Sequence, residues 1–185
     1  MILGVCGFAQ SGKDTAAGFL IERGWKRLAF ADALRDSVYR LNPIVLSWPG
    51  ISDWPGFSHV RVQDIVDNLG WDVAKVEYPE IRQLLQRMGT EVGRGIYGES
   101  FWVDRVLAQI EPGQNYVITD VRFPNEVEAV RSVGGVIYRI YREGVGAVNG
   151  HISDTGVDDL EIDGILLNDG DLADLEQKVL MAVGL

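Results

Sequence analysis

The sequence predicts an α/β fold built on a mainly parallel five-stranded sheet. Short apolar runs alternate along the chain with segments whose apolar residues recur at helical spacing. The length of 185 residues suits one domain with a core on both faces of a sheet. A content of 46% hydrophobic and 24% charged residues is ordinary for a globular protein. We therefore expect a three-layer sandwich, with helices covering both faces of the sheet.

The five expected strands are short and apolar, as strands covered on both faces should be. They are Ile2–Cys6, Arg27–Phe30, Tyr116–Thr119, Val136–Tyr141 and Gly164–Leu167.

The expected helices follow from apolar spacing and from capping residues. The first begins after Gly12 and places Ala16, Phe19 and Leu20 on one face. Pro79 can begin a second helix, which Gly89 would end. The remaining helices are expected from Ser100 to Pro112, from Asn125 to Val133 and from Asp171 to Val183.

Two segments interrupt this alternation. Residues 42–62 are rich in Trp, Pro and Gly and predict an irregular loop, and residues 143–156 contain four glycines and predict a short lid. We therefore expect one domain over residues 1–185, with a substrate-binding insertion at about 42–78 and a lid at about 143–156.

The charge and cysteine content exclude several classes of protein. A net charge of −10 argues against general nucleic-acid binding, which needs basic patches. The single cysteine, Cys6, cannot form a disulfide within the chain and is expected to be a small buried residue. Without a signal sequence or a run of eighteen apolar residues, we expect no membrane association and a cytoplasmic location.

The residues from Gly7 to Thr15 form a phosphate-binding loop (P-loop, or Walker A) pattern directly after the first strand. Gly7 and Gly12 allow backbone N–H groups to surround phosphate oxygens, and Lys13 adds a positive charge. The next helix directs its positive end at the same anion. Asp14 stands where Ser or Thr is usual. The loop predicts that the chain binds a nucleoside triphosphate.

Two classes of phosphate-loop protein are disfavoured by missing motifs. The sequence has neither the Asn-Lys-x-Asp of guanine-specific switches nor the Leu-Ser-Gly-Gly of transporter ATPases. Small-metabolite kinases remain.

Seven sequence blocks, in order along nearly the whole chain, resemble the bacteriophage-type deoxynucleoside monophosphate kinases, which are relatives of adenylate kinase. The chain departs from this family at Asp154, where Glu is common, and at Ala33, where Pro is common. The blocks are 7–15, 30–35, 82–91, 101–102, 120–126, 151–154 and 167–170.

The resemblance implies a kinase with a nucleoside monophosphate kinase-like P-loop fold that moves the γ-phosphate of ATP to a deoxynucleoside 5′-monophosphate with Mg²⁺. Thr15, or less directly Asp14, would help to hold Mg²⁺, although Asp14 could equally be a charge favoured by the helix dipole. The residues expected to bind ATP are Gly7, Ala9, Gln10, Ser11, Gly12, Lys13, Asp14, Thr15, Asn168 and Gly170.

The expected acceptor-binding residues have competing structural explanations. Asp120 and Glu126 could be helix caps, and Trp102 could be core packing rather than a surface for a base. Arg35 and Arg82 could be solvated charges. The complete set is Arg35, Arg82, Gly89, Thr90, Trp102, Asp120, Arg122 and Glu126.

The expected catalytic residues are Lys13, Asp120, Arg122 and Arg142. The three cations would neutralise the moving phosphoryl group, and Asp120 would orient Mg²⁺-bound water or the acceptor nucleotide. Arg122 resembles the family arginine that holds the acceptor phosphate, and Arg142 resembles a lid arginine and is favoured over its neighbour Arg139. Two histidines and one cysteine make a zinc site improbable, and His151 is more simply a polar surface residue.

Three questions stay open at this stage. A kinase of the same fold for another phosphorylated metabolite, or a non-catalytic ATP-binding regulatory module, would share many of these residues. The accepted base is not predictable from the sequence. Trp48 and Trp54 could serve a homodimer interface as easily as a substrate cleft.

Overall fold

The computed structural model describes residues 1–45, 60–146 and 156–185. These residues form two compact units. The first comprises Met1–Phe30 with Val103–Leu185, and the second comprises Ala31–Trp102. The prediction of one domain with an insertion and a lid stays a prediction, and residues 147–155, including His151, lie outside the described residues.

A five-stranded parallel sheet forms the centre of the first unit and confirms the expected fold class. Its strands are β1 (Ile2–Cys6), β2 (Lys26–Leu28), β5 (Tyr116–Ile118), β6 (Val136–Tyr141) and β7 (Gly164–Leu167). They lie in the order β2–β5–β1–β6–β7, and all four neighbouring pairs are parallel.

Helices cover both faces of this sheet, which gives the expected three layers. Ile2 and Cys6 of β1 belong to one core cluster, with α6 (Phe101–Leu107) and α7 (Pro124–Ser132). Leu3 and Val5 belong to the other, with α1 (Lys13–Ile21) and α8 (Leu172–Ala182). The alternation along β1 follows from the two-residue period of a strand.

The largest differences from the predicted boundaries of the first unit are at the ends of β2 and α6, and the other boundaries shift by one residue at most. Strand β2 ends at Leu28, because Phe30 begins α2 (Phe30–Leu41) and its N–H donates to Asp120 Oδ1 at 2.8 Å. Helix α6 ends at Leu107, five residues before Pro112. The helix Leu172–Ala182 begins as expected, with the Asp171 side chain accepting from the N–H of Asp174.

The second unit is mainly helical and contains structure that the sequence did not predict. After α2, the strands β3 (Ile44–Val45) and β4 (Val60–Arg61) pair antiparallel, so the margins of the expected irregular loop are regular. Helix α3 (Val62–Glu77) follows, with a kink at Gly70, and then α4 (Pro79–Arg87). The hydrophobic core of the second unit contains Val38, Val62, Ile65, Ile81 and Leu85.

Gly89 does not end the helix that begins at Pro79, so that prediction was wrong. The backbone widens into a π-helix over Met88–Arg94 and continues into the short α5 (Gly95–Tyr97). A Cβ atom at Gly93 would lie 2.2 Å from Trp102 Nε1, and the Gly89 carbonyl accepts a hydrogen bond from that nitrogen at 2.9 Å. Gly93 therefore leaves room for the indole ring, and Gly89 contributes a carbonyl acceptor to it rather than ending the helix.

Among the described residues, none of the helices combines the length and apolar character needed to cross a membrane.

Candidate active site

The turn between β1 and α1 has the backbone geometry of a phosphate-binding loop. Gly12 is the N-cap of α1 with φ of 103°, and Gly7 has φ of 141°. A Cβ atom at Gly7 would lie 2.5 Å from the carbonyl oxygen of Ile140, and one at Gly12 would lie 2.5 Å from Asn168 Nδ2. Only glycine satisfies both the backbone angle and the available space at these positions.

Phe8 holds the interior of this loop together. Its carbonyl oxygen accepts from Lys13 Nζ at 2.5 Å and from the N–H of Ser11 at 3.2 Å. The Ser11 hydroxyl is buried and has no hydrogen-bond partner within the described part of the chain. A buried polar group without a partner is costly, which is consistent with a site completed by a ligand.

Lys13 is influenced electrostatically by three other predicted site residues, Asp14, Asp120 and Arg122. Burial lowers the pKa of Lys13, and the positive charge of Arg122 lowers it further. The negative charges of Asp14 and Asp120 oppose this change. These three residues are therefore close enough to Lys13 to interact with it electrostatically.

A cavity of about 530 Å³ opens beside the loop. This volume is within the range of small-molecule sites. Its walls include Arg142, whose exposed side chain has no hydrogen bond or ion pair within the described ranges. The predicted residues that line it are Gln10, Gly12, Lys13, Asp14, Thr15, Arg142, Asn168 and Gly170.

Three further residues of the cavity wall were missed from the sequence: Asp171, Leu172 and Leu175. The helix-capping pattern at Asp171 could have identified them, since it places the first turn of α8 directly after Gly170.

The Asn168 side chain stabilises the phosphate-binding loop through a hydrogen bond to its backbone. Its Nδ2 donates to the carbonyl oxygen of Ser11 at 2.9 Å, while its backbone N–H donates to Tyr141 at 2.7 Å. The following turn is fixed by Lys178, whose ammonium group lowers the pKa of the Asp169 carboxyl by hydrogen bonding.

Strand β5 is followed by carboxylates that hold backbone groups. Besides the Asp120 contact to Phe30, the Glu126 carboxylate accepts from the N–H groups of Arg122 at 2.7 Å and Phe123 at 3.1 Å. Glu126 is 3% exposed. Both residues thus make the capping contacts that the sequence left as alternatives, and Glu126 fixes the backbone of Arg122.

The other predicted acceptor-binding residues lie in the second unit. Trp102 is buried, and its N–H is bonded to Gly89, as in the core-packing alternative. Arg35 is 3.9 Å from Asp32, whereas Arg82 forms no hydrogen bond or ion pair among the described residues. Gly89 and Thr90 lie in the π-helix, a conformation that is frequent at functional sites.

The donor atoms suit Mg²⁺ only in part. The described residues contain no cluster of three or more acidic, histidine or cysteine side chains able to hold a metal. Thr15 and Asp14 are exposed at the start of α1. Mg²⁺ commonly binds one or two protein ligands together with phosphate oxygens and water, so these two residues are compatible with it.

The chain is similar in sequence to several named proteins. The protein named deoxynucleotide monophosphate kinase in Escherichia phage RB69 is 30% identical over 107 residues, which cover 54% of this chain and 43% of that protein. The protein of the same name in Enterobacteria phage T4 is 25% identical over 126 residues, covering 64% and 49%. The chain thus spans about half the length of these two relatives.

A protein of Acanthamoeba polyphaga mimivirus, provisionally given the same name, aligns more completely. It is 26% identical over 199 aligned positions, which cover 99% of this chain and 96% of that protein. The sequence model of the deoxynucleotide monophosphate kinase family matches residues 51–179. The chain therefore belongs to the deoxynucleotide monophosphate kinase family.

Proposed function

We propose that this protein is a Mg²⁺-dependent kinase that transfers the γ-phosphate of ATP to a deoxynucleoside 5′-monophosphate, forming the diphosphate and ADP. The observation that carries the proposal is the glycine turn at the start of α1, with Lys13 and a cavity of about 530 Å³ beside it. Membership of the family supports the choice of acceptor.

The donor side would be bound mainly by backbone groups. The first N–H groups of α1 lack partners within the helix, and the helix dipole favours an anion at this end. Lys13 is held against the Phe8 carbonyl at 2.5 Å and would exchange that contact for the outer phosphates. Asn168 would act through the loop backbone, because its side-chain nitrogen is bonded to Ser11.

Thr15 and Asp14 would hold Mg²⁺ directly or through water. When bound, Mg²⁺ neutralises negative charge that develops on the phosphates during transfer.

The acceptor phosphate would be held by Arg122, whose planar guanidinium group can bind two oxygens at once. The Glu126 carboxylate accepts a hydrogen bond from the Arg122 backbone N–H at 2.7 Å. This contact fixes the backbone from which the Arg122 side chain extends. Arg142 is exposed at the cavity wall and would neutralise the transferring group. No general base is needed, because the attacking atom is already a phosphate oxyanion.

In the second unit, Arg35, Arg82, Gly89 and Thr90 remain the proposed acceptor-binding residues. Arg82 is the stronger of the two arginines, because no described residue neutralises its charge. Trp102 is proposed to act only by shaping the π-helix, through its hydrogen bond to Gly89.

The proposal is tested by measuring ADP formation from ATP and Mg²⁺ with dAMP, dGMP, dCMP or dTMP, with their hydroxymethylated or ribose counterparts, and without acceptor. We expect turnover that requires a deoxynucleotide and falls by orders of magnitude in Lys13→Ala. ATP binding without turnover on any nucleotide would contradict the proposal, as would turnover only on another phosphorylated metabolite.

A further inference from the structure

Arg139 is a charged residue within β6 of the central sheet. Its side chain is only 14% exposed, and its Nε atom is buried without a hydrogen-bond partner in the described ranges. Burial of a guanidinium group is unfavourable unless neighbouring groups compensate for lost water. The position therefore requires an explanation.

Two contacts hold the guanidinium group. One terminal nitrogen is 2.5 Å from Asp158 Oδ1, in the short 3₁₀-helix Gly156–Asp159. Its central carbon lies 5.3 Å from the centre of the Phe8 ring, within the range of a cation–π contact. Arg139 thus joins Asp158 to the second residue of the phosphate-binding loop.

The Phe8 backbone carbonyl holds two hydrogen-bond donors of the phosphate-binding loop. Its oxygen accepts from both Lys13 Nζ and the Ser11 N–H. A rotation of the Phe8 peptide plane would move that oxygen and release both groups. Because the ring is attached to the same backbone, a contact that holds the Phe8 ring restrains the Phe8 backbone and so the starting position of Lys13.

Stability alone does not account for a buried arginine here. Replacing a buried ion pair by apolar residues of similar volume is often neutral or stabilising. The partner Asp158 is 59% exposed, which weakens the pair further as a source of stability. The contact with Phe8 is what an apolar substitute would not reproduce.

We propose that Arg139 is a positioning residue for the phosphate-binding loop. Anchored by Asp158, it holds Phe8 so that the Phe8 carbonyl presents Lys13 and Ser11 to the incoming triphosphate. The inference rests on the proposed function only in taking ATP as the ligand of this loop.

The test compares Arg139→Met with Arg139→Lys, Asp158→Asn and Phe8→Leu. Arg131→Met is the matched control, because Arg131 also pairs with carboxylates, Glu161 at 2.9 Å and Asp163 at 3.4 Å. ATP affinity is measured by calorimetry with Mg²⁺, and amide hydrogen exchange is measured on the peptide that contains residues 7–15. Both measurements are independent of phosphoryl transfer, so a failure of the kinase assignment leaves this test intact.

We expect Arg139→Met to fold with unchanged or higher Tm, to bind ATP about tenfold more weakly and to exchange faster in the loop, since it lacks the cation–π contact. The ATP affinity and the loop exchange rate of Arg139→Lys should lie between those of Arg139→Met and those of the unaltered protein. Unchanged ATP affinity and exchange in Arg139→Met would overturn the proposal, and so would equal losses in Arg131→Met. If Arg139→Met fails to fold, unaltered ATP affinity and exchange in both Phe8→Leu and Asp158→Asn would overturn it.

Discussion

Replacing Gly12 by alanine should damage the phosphate-binding loop through two separate effects. The backbone at this position has φ of 103°, which an L-residue adopts only at a cost. In addition, the new methyl group would lie 2.5 Å from Asn168 Nδ2. Asn168 must therefore move and lose its hydrogen bond to Ser11.

The cost can be estimated from these two effects. The backbone angle contributes about 1–2 kcal/mol. The lost hydrogen bond contributes about 1 kcal/mol. We therefore expect Gly12→Ala to lower the free energy of unfolding by about 2–3 kcal/mol, or to distort the loop and weaken ATP binding instead.

Gly18→Ala is the matched control, since Gly18 lies in the same helix and a Cβ atom there meets nothing within 4 Å. This change should raise stability by about 0.5–1 kcal/mol, because alanine favours the helix. Asn168→Ala provides a second control. In the Gly12→Ala background it should cost little, because the hydrogen bond is already lost.

The assay is urea unfolding of all four variants, together with calorimetric ATP affinity. The reasoning is refuted if Gly12→Ala matches Gly18→Ala in both stability and ATP affinity. It is also refuted if the losses from Gly12→Ala and Asn168→Ala add fully in the double variant.

Three further predictions concern the surrounding structure. Burial raises the pKa of Cys6 to about 11 from 9.0, so the folded state retains this proton more strongly, and the free energy of unfolding should fall by about 2 kcal/mol between pH 9 and 11. In Cys6→Ala, urea unfolding should show a decline smaller by this amount, and an identical pH profile would contradict the assignment. Glu126→Ala leaves the N–H groups of Arg122 and Phe123 without their acceptor and should lower the free energy of unfolding by about 2–4 kcal/mol. Glu126→Gln keeps an acceptor oxygen and should lower it less. Equal melting temperatures for the two variants would count against the capping role. Gly93→Ala places a methyl group 2.2 Å from Trp102 and should lower the free energy of unfolding by about 1–3 kcal/mol. Gly95→Ala is the control, because its methyl group meets only an ordinary contact at 3.4 Å. Similar urea midpoints for the two variants would show that the indole ring does not require Gly93.

The sequence was sufficient for the parts of the fold that local patterns specify. Each of the five strands begins and ends within two residues of its expected bounds. The inner strands β1 and β5 are apolar runs buried along their whole length, as expected. The expected burial on both faces was wrong for the edge strands, since β2 exposes Lys26 and Arg27 and β7 exposes Ile165 and Leu167. The loop at Gly12 was predictable because its spacing follows from phosphate geometry.

Other features depended on contacts between distant residues. Asp120 accepts from Phe30, 90 positions away, and so ends β2 early. Glycine often ends a helix, which is why Gly89 was expected to do so. Instead the backbone continues as a π-helix, in which the Gly89 carbonyl accepts from Trp102 and Gly93 leaves room for the indole ring. No local pattern could show these pairings.

Arg139 illustrates the same limit at the candidate site. Its neighbour Arg142 follows the end of β6 and was expected to act at the lid. Phe8 follows β1 and Arg139 lies in the neighbouring strand β6, so their contact forms only when β1 and β6 pair. Sequence spacing carries no signal for such a pair.

We propose that this chain moves a phosphoryl group between nucleotides, and transfer of a radioactive label measures that step itself. The protein is incubated with Mg²⁺, ATP labelled at the γ-phosphate and each deoxynucleoside monophosphate, and the products are separated by chromatography. The account predicts label in a deoxynucleoside diphosphate, at a rate that falls by orders of magnitude in Lys13→Ala and in Arg122→Ala. Label that stays in ATP or appears only as free phosphate would contradict it.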